Sequence, residues 1–506
     1  MLARATAATP WGIDARPIQV EVDVHPGLPQ MQIVGLPDTA VRESRERVRS
    51  AIKNCGFRLP ARAVTINLAP ADLRKAGNHL DLAIAVALLA AHEEIPQEAL
   101  EGRLFCGELG LDGQTRAIRG GLAIADLADR IASREVILPA TCAAEAAALR
   151  TVPVIGVIGL AQALDHVLGR HVLPPAREEV APLDPAEGNR LDLRDVRGQE
   201  SAKRALEIAA AGGHNLLFVG PPGSGKTMLA RRLPALLPPL ERSEALAVTK
   251  IQSMVLDRPR VQLVSQRPFR APHHGISTAG MIGGGAGVPR PGEITLAHRG
   301  VLFLDELPEF QRSALEALRQ PLEEGAVMVV RAYARFEFPS RFQLLAAMNP
   351  CPCGHLGDER HVCECSVQRV QNYRSRISGP LLDRIDMHVE VPAIPLSRLQ
   401  TAASGEGTAE VIRRILEARA LQDKRQPGSV NAGLSARDLE SHCAVGPSGR
   451  KLLEGAFDRL GLSARALHRI LRVARTIADL EGSTALRTTD LAEAIQYRML
   501  DRRVEA

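Results

Sequence analysis

Rings are scarce in this chain: 10 Phe, 3 Tyr and a single Trp among 506 residues. Reading nucleic acid by stacking bases over a broad surface needs exposed aromatics in number, and the composition argues against that class. Lysine is almost as rare, seven residues against 56 arginines, a division that host coding preference explains by itself. No apolar run is long enough for a membrane. The longest, Leu82 to Ala91, has ten residues, where a spanning helix needs about 20. The N-terminus has no basic stretch leading into an apolar core, so no secretory signal is expected. A cytoplasmic protein without a membrane partner is the simplest expectation. Of eight cysteines, Cys351, Cys353, Cys363 and Cys365 lie within fifteen residues and the others are scattered, which is not a disulfide framework.

What is present is ordinary for a globular protein. The chain is 45% hydrophobic and 24% charged, with a net charge of +5, which excludes wholesale disorder. At roughly 150 residues per domain its length suggests about three domains. Residues 1–172 alternate β-rich runs (Val20–Val24, Met31–Val34, Val64–Leu68) with Ala/Leu stretches. Residues 173–190 collect prolines and carboxylates, a linker composition. Residues 191–396 carry wholly apolar runs, Leu216–Val219, Val301–Leu304 and Leu344–Ala347, as a parallel sheet covered on both faces requires. Residues 397–506 open on a polar stretch, Thr401 to Thr408, and then read as helical. Leu467, Ile470, Leu471, Ala474, Ile477 and Ala478 form one apolar stripe, with Arg465, Arg469 and Arg472 on a neighbouring face. Asp490, followed three residues on by Glu493, is expected to start the last helix.

The segment Gly220-Pro221-Pro222-Gly223-Ser224-Gly225-Lys226-Thr227 fits G-x-x-x-x-G-K-[ST], with an apolar strand before it and a helix-forming segment after it. Glycines let backbone N–H groups converge on phosphate oxygens at a helix N-terminus. Lys226 is expected to reach the β- and γ-phosphates of ATP, and the Thr227 hydroxyl to ligate Mg²⁺. Val301–Leu304 then delivers Asp305 and Glu306 to the C-terminal end of a strand, where ligands of open α/β sheets bind. Asp305 is expected to hold the Mg²⁺ hydration shell and Glu306 to polarise the attacking water. Asn349 ends a third strand in an amide suited to orienting water near the γ-phosphate.

Together with Gly379-Pro380-Leu381-Leu382-Asp383-Arg384-Ile385-Asp386, these motifs in this order resemble the magnesium-chelatase-like group of AAA+ ATPases. The resemblance implies a P-loop AAA+ core with a parallel sheet and a C-terminal helical lid. It makes Asn349 the sensor-1 residue and Arg384 an arginine finger acting on ATP of a neighbouring subunit. Arg465 becomes the sensor-2 residue and the assembly a homo-hexameric ring. For Arg384 the plainer reading is a surface salt bridge; for Arg465 it is a solvated helix face.

Two insertions set the core apart. Residues 261–300 hold four Arg, three His and eight Gly against the single carboxylate Glu293, and include Arg267 to His274 and Met281 to Gly285. Val327–Arg331 and Ala334–Phe338 read as a hairpin with Arg331 and Arg335 near its turn. Resemblance to the helix-2-insert branch of AAA+ projects both into a central pore. Basic Gly-rich loops there suit contact with the backbone of branched or single-stranded DNA; the alternative is a contact between subunits. The paired spacing Cys351-x-Cys353 and Cys363-x-Cys365 suits a closed Cys₄ zinc site, with His355 and His361 as spare ligands, although C-x-C is tighter than the usual knuckle. The alternative is four reduced thiols.

The N-terminal region resembles the Lon-protease-like, ribosomal S5-type α+β domain through Gly35-Leu36-Pro37-Asp38 and Asp72-Leu73-Arg74-Lys75-Ala76-Gly77. A proteolytic member carries a serine just after the second motif and a lysine near Gly120–Ile124. This chain has Asn78-His79-Leu80 and Gly121-Leu122-Ala123 there, so a non-proteolytic scaffold or DNA-binding face is expected. As a whole the chain resembles the ComM/YifB competence family. That resemblance implies a hexameric ATPase that drives branch migration of recombination intermediates and aids DNA integration in natural transformation. The alternative is a chelatase-type remodeller of a protein partner, although a chelatase motor subunit is not expected to carry this N-terminal domain.

Overall fold

The computed structural model describes residues 1–75, 77–178, 191–255, 263–285, 287–358, 361–394, 405–498 and 500. Ala76 of the second Lon-like motif, most of the 173–190 linker, the boundary at 396/397 and Thr401–Ser404 lie outside them. Among the described residues no helix is long and apolar enough to cross a membrane.

Nine strands build the N-terminal unit: β1 Leu2–Trp11, β2 Asp14–His25, β3 Met31–Val34, β4 Ala63–Ala69, β5 Arg103–Phe105, β6 Glu108–Leu109, β7 Thr115–Arg116, β8 Glu135–Pro139 and β9 Val154–Val157. Seven of them form one mixed sheet in the order β3-β4-β2-β1-β5-β8-β9, and β6 and β7 pair separately. The expected runs at Val20, Met31 and Val64 all fall in strands. β1 is rich in alanine, Leu-Ala-Arg-Ala-Thr-Ala-Ala, a composition that favours helix. Its ten residues instead pair in antiparallel register along the length of β2, Leu2 opposite Asp23 to Trp11 opposite Asp14. Tertiary pairing overrides propensity here. Ala3, Ala5, Ala7 and Ala8 are buried, and their small side chains let helix Asp81–Ala91 pack on β1 and β2. That helix contains the long apolar run and is buried at every position, which makes it a core helix.

In the second unit β10 Leu216–Val219, β11 Phe269–Arg270, β14 Val301–Leu304, β17 Gln343–Met348 and β18 Met387–Glu390 form a five-stranded sheet. Its order is β11-β14-β17-β10-β18, and every neighbouring pair is parallel. The apolar strands are buried on both faces, as their unbroken hydrophobicity requires. Two short hairpins leave this core, β12 Gly283–Gly284 with β13 Arg290–Pro291, and β15 Ala326–Val330 with β16 Arg335–Pro339.

The C-terminal region is helical, as its pattern demands: Thr408–Arg425, Ala436–His442, Pro447–Leu460, Ala464–Leu480 and Thr488–Gln496. Of the expected stripe, Ile470, Ala474, Ile477 and Ala478 are fully buried, while Leu467 and Leu471 are half-buried. Asp490 is not the first residue of the last helix; it sits in its first turn and accepts from the Arg487 N–H at 2.9 Å. A buried polar seam also runs through the lid. Arg475 and Asp479 pair at 3.0 Å and Arg425 reaches Asp479 at 2.7 Å.

The N-terminal unit is docked on the ATPase-like core. Lys250, on helix Arg242–Ser253, bonds Asp14 at 2.6 Å and Asp126 at 2.8 Å. Trp11, at the β1–β2 turn, packs on Phe336 and Tyr333 of the second hairpin, with ring centroids 4.9 and 6.0 Å away. Glu145 lies buried beside Ser253 and accepts from the Leu122 N–H at 3.3 Å. Burial pushes its pKa up to about 7. A carboxyl raised in the folded state favours folding below its ordinary pKa, and that contribution is lost as pH climbs to the folded value. Glu145→Gln should therefore match the wild type near pH 4.5 and be more stable at pH 8, by about 1–2 kcal/mol. Urea melts of both proteins across that range measure the difference.

Candidate nucleotide site

The P-loop leaves the C-terminal end of β10, the strand flanked by β17 and β18. Gly220 has no room for a side chain, since a Cβ there would stand 2.1 Å from the Val391 carbonyl oxygen. Gly223 and Gly225 take φ values of +74° and +93°, the left-handed region that glycine reaches without strain. Helix Lys226–Ala230 follows. Lys226 is 8% exposed and its ammonium donates to the Gly220 and Pro221 carbonyls at 2.7 and 2.8 Å. Burial lowers its pKa, against the opposing pull of Asp305 and Glu306. It also reaches the Asn349 amide oxygen at 3.3 Å, so the loop lysine and the end of β17 converge.

Thr227 donates its hydroxyl hydrogen to Asp305 Oδ2 at 2.7 Å. A hydroxyl and a carboxylate side by side are the oxygen donors a Mg²⁺ ion shares with phosphate oxygens and water. Glu306 is held at φ +54°, unusual for a residue with a side chain and typical of strain kept at functional sites. Its carboxylate is half-exposed and stands 3.4 Å from His274 Nδ1. His274 in turn stacks on His273, 4.0 Å between ring centres. Sequence reasoning assigned these histidines to a DNA-contacting loop. The sequence carried no local signal for this: Phe269 pairs with Val301, so the residues after β11 lie beside those after β14.

Arg384 is 9% exposed and is tied within its own chain. It pairs with Glu323 and donates to the Pro380 and Arg319 carbonyls, the latter at 3.2 Å. Arg465 is largely exposed, with Asp383 3.9 Å away. Its two companions are not surface charges: Arg469 bonds buried Asp386 at 2.5 Å and Arg472 holds the Leu434 carbonyl. Of the arginines in the 261–300 insertion, Arg267 and Arg299 pair with Glu244 and Arg270 with Glu293. Arg290 has no carboxylate partner among the described residues, and neither do Arg331 and Arg335. The tips of the two hairpins touch: Tyr333 donates to the Gly287 carbonyl at 2.6 Å and Arg331 to that of Gly285 at 3.4 Å.

Cys351, Cys353, Cys363 and Cys365 bring their sulfurs within 4.8 Å of one another. Three of the separations are 3.3, 3.7 and 3.7 Å. Four thiolates about 2.3 Å from a tetrahedral zinc stand about 3.8 Å apart, so the donor set fits that metal. His355 and His361 do not join it; both face Asp358, at 3.5 and 2.9 Å. In the N-terminal unit Asn78 bonds Glu108 at 3.1 Å. His79 is buried with an unpartnered Nε2, and burial lowers its pKa to about 4, as for a structural histidine.

Family profiles cover most of the chain. "Magnesium chelatase, subunit ChlI" matches residues 192–399, "Subunit ChlI of Mg-chelatase" residues 20–142, and "Magnesium chelatase, subunit ChlI C-terminal" residues 405–498. The profile over the N-terminal unit thus carries a chelatase description, and that unit by itself does not argue against a chelatase-type activity as the sequence reading expected. YifB of Salmonella typhimurium, described as an uncharacterized protein, is 46% identical over 494 residues, 97% of this chain and 96% of the relative. The competence protein ComM of Haemophilus influenzae is 44% identical over 504 residues, 99% and 98% of the two chains. Lon protease 2 of Bacillus subtilis is 30% identical over 154 residues, 28% of this chain and 27% of the relative.

The lid arginines separate by substitution. Arg469→Leu strands the buried Asp386 carboxylate and should cost about 3–5 kcal/mol of stability. Arg465→Leu should cost less than about 0.5 kcal/mol. Equal losses in denaturant titrations would contradict the assignment of Arg469 as the buried tie.

Proposed function

The chain belongs to the magnesium-chelatase-like AAA+ family, in the group of ComM and YifB, and on that footing we propose that it is an ATP-driven motor acting on branched or single-stranded DNA. The observation that carries the DNA reading is the meeting of the two hairpin tips. The two hairpins carry Arg290, Arg331 and Arg335, three guanidinium groups without a carboxylate partner among the described residues. Such a surface suits phosphates, whose recognition is sequence-independent and salt-sensitive. The competence role named for the Haemophilus relative fits work on recombination intermediates, with branch migration as the motion.

In this reading Gly220 to Thr227 bind the phosphates of ATP, and Lys226 exchanges its loop carbonyls for phosphate oxygens. Thr227 and Asp305 hold Mg²⁺, which supplies charge neutralisation on the phosphates. Glu306 takes up the water proton, with His274 positioned to hold or release its carboxylate, and Asn349 orients the water. Arg384 acts across a subunit boundary in a homo-hexameric ring, which requires it to leave Glu323. A finger of this kind is worth about 10³–10⁵ in rate, or roughly 4–7 kcal/mol of barrier, so assembly becomes a condition of turnover. Arg465, exposed on the lid, serves the same nucleotide. Zinc in the four-cysteine cluster is structural.

ATP hydrolysis should rise when forked or four-way DNA is added at low salt. Glu306→Gln should bind ATP and lose about 10²–10⁴-fold in kcat. DNA that neither binds nor stimulates removes the motor reading and leaves the chelatase-type remodeller of a protein partner. Where DNA binds, Arg331→Ala and Arg335→Ala should each lower the slope of log affinity against log salt by about 1. Unchanged slopes would take the hairpin out of the DNA path.

A further inference from the structure

The four-cysteine segment is not a remote surface knuckle. It begins two residues after Asn349, whose amide is 3.3 Å from Lys226. Cys351 is buried and its sulfur accepts from the Leu356 N–H at 3.3 Å, while Gly354 closes the first turn onto the Cys351 carbonyl at 3.0 Å. That turn rests on the P-loop. At Gly354, held at φ +87°, a Cβ would stand 2.6 Å from Pro222 Cδ and 4.0 Å from the Asn349 side-chain carbon. The other end returns to the same place. Helix Val367–Arg374 starts two residues after Cys365, capped by Ser366, and Arg374 donates to the Pro350 carbonyl at 3.3 Å. Tyr373, on its last turn, is buried near the Asn349 backbone. Arg374 and Pro350 thus tie the two ends together, and the four sulfurs gather between them.

We propose that this cluster is the positioning element of the nucleotide site: with a metal held by its four thiolates, it sets where Asn349 and the Pro222 turn stand, and it governs turnover more than nucleotide affinity. The inference rests on the zinc reading above. Metal binding to such a segment is folding free energy, since the ligands do not stay gathered without it. Affinity is carried mainly by the loop amides and helix N-terminus, which hang from β10. The Asn349 amide is the group that loosens when the cluster is emptied. Misplacing a positioned group by about 1 Å costs on the order of 100-fold in rate.

Two measurements test this with the cluster kept loaded. Gly354→Ala pushes a methyl group against the rigid Pro222 ring and leaves every cysteine in place. It should keep one metal per chain and lose more in kcat, about 10- to 100-fold, than in ADP affinity. In protein reloaded with cobalt(II), the visible bands of the thiolate–cobalt centre should shift when ADP is added. Wild-type turnover in Gly354→Ala, or cobalt bands indifferent to ADP, overturns the positioning role while the zinc reading stands. If the purified, reduced protein holds no metal and takes up neither zinc nor cobalt, the zinc reading fails and the proposal with it.

Discussion

A buried carboxylate holds the nucleotide half of this protein together. Asp386 is 4% exposed and would be costly to bury unpaired. Its side chain accepts from the Asn215 N–H at 2.9 Å and from Arg469 at 2.5 Å, and its own N–H donates to the Asn215 carbonyl at 3.0 Å. Asn215 extends the knot, donating to the Arg384 carbonyl at 2.9 Å and accepting from the Leu344 N–H at 2.8 Å. The feet of β10, β17 and β18, the Arg384 segment and the lid helix all meet there. The P-loop and Asn349 stand at the other ends of the same strands. His214 completes the surroundings, 3.9 Å from Asp386, and burial lowers its pKa to about 4 despite that carboxylate.

Three of the seven lysines stand where the shape of an ammonium suits the site. Lysine is an ammonium that fits between carbonyls, where a planar guanidinium does not. Lys226 takes such a place in the P-loop, Lys75 is buried against the Pro70 carbonyl, and Lys250 bridges two carboxylates of the docked N-terminal unit. The single Trp sits in the contact between that unit and the hairpin bearing Arg331 and Arg335.

Much of the site was legible because its groups are contiguous. The phosphate loop is eight consecutive residues, and Asp305 and Glu306 follow directly on their strand. The lid stripe follows from helical periodicity in the same way. Other features lay beyond local pattern. β1 is a strand because β2 runs beside it. His274 meets Glu306 because β11 and β14 are neighbours, not because of anything in Pro-His-His. Of the insertion's four arginines three are spent on Glu244 and Glu293, a division that composition cannot express.

The sequence alone determined the chemistry on offer: a phosphate loop, an acidic strand end, a terminal amide, four grouped thiols and a helical lid. Each is written in residues close along the chain, where spacing and periodicity act directly. Only the tertiary structure decided which groups are committed and which are available. It tied Arg384 to Glu323 and Arg469 to Asp386, left Arg465 exposed and Arg331 and Arg335 without a carboxylate partner among the described residues, and set the cysteine turn against Pro222. Those outcomes depend on which strands become neighbours and which charges are buried together, contacts between residues tens to hundreds of positions apart that local pattern does not encode.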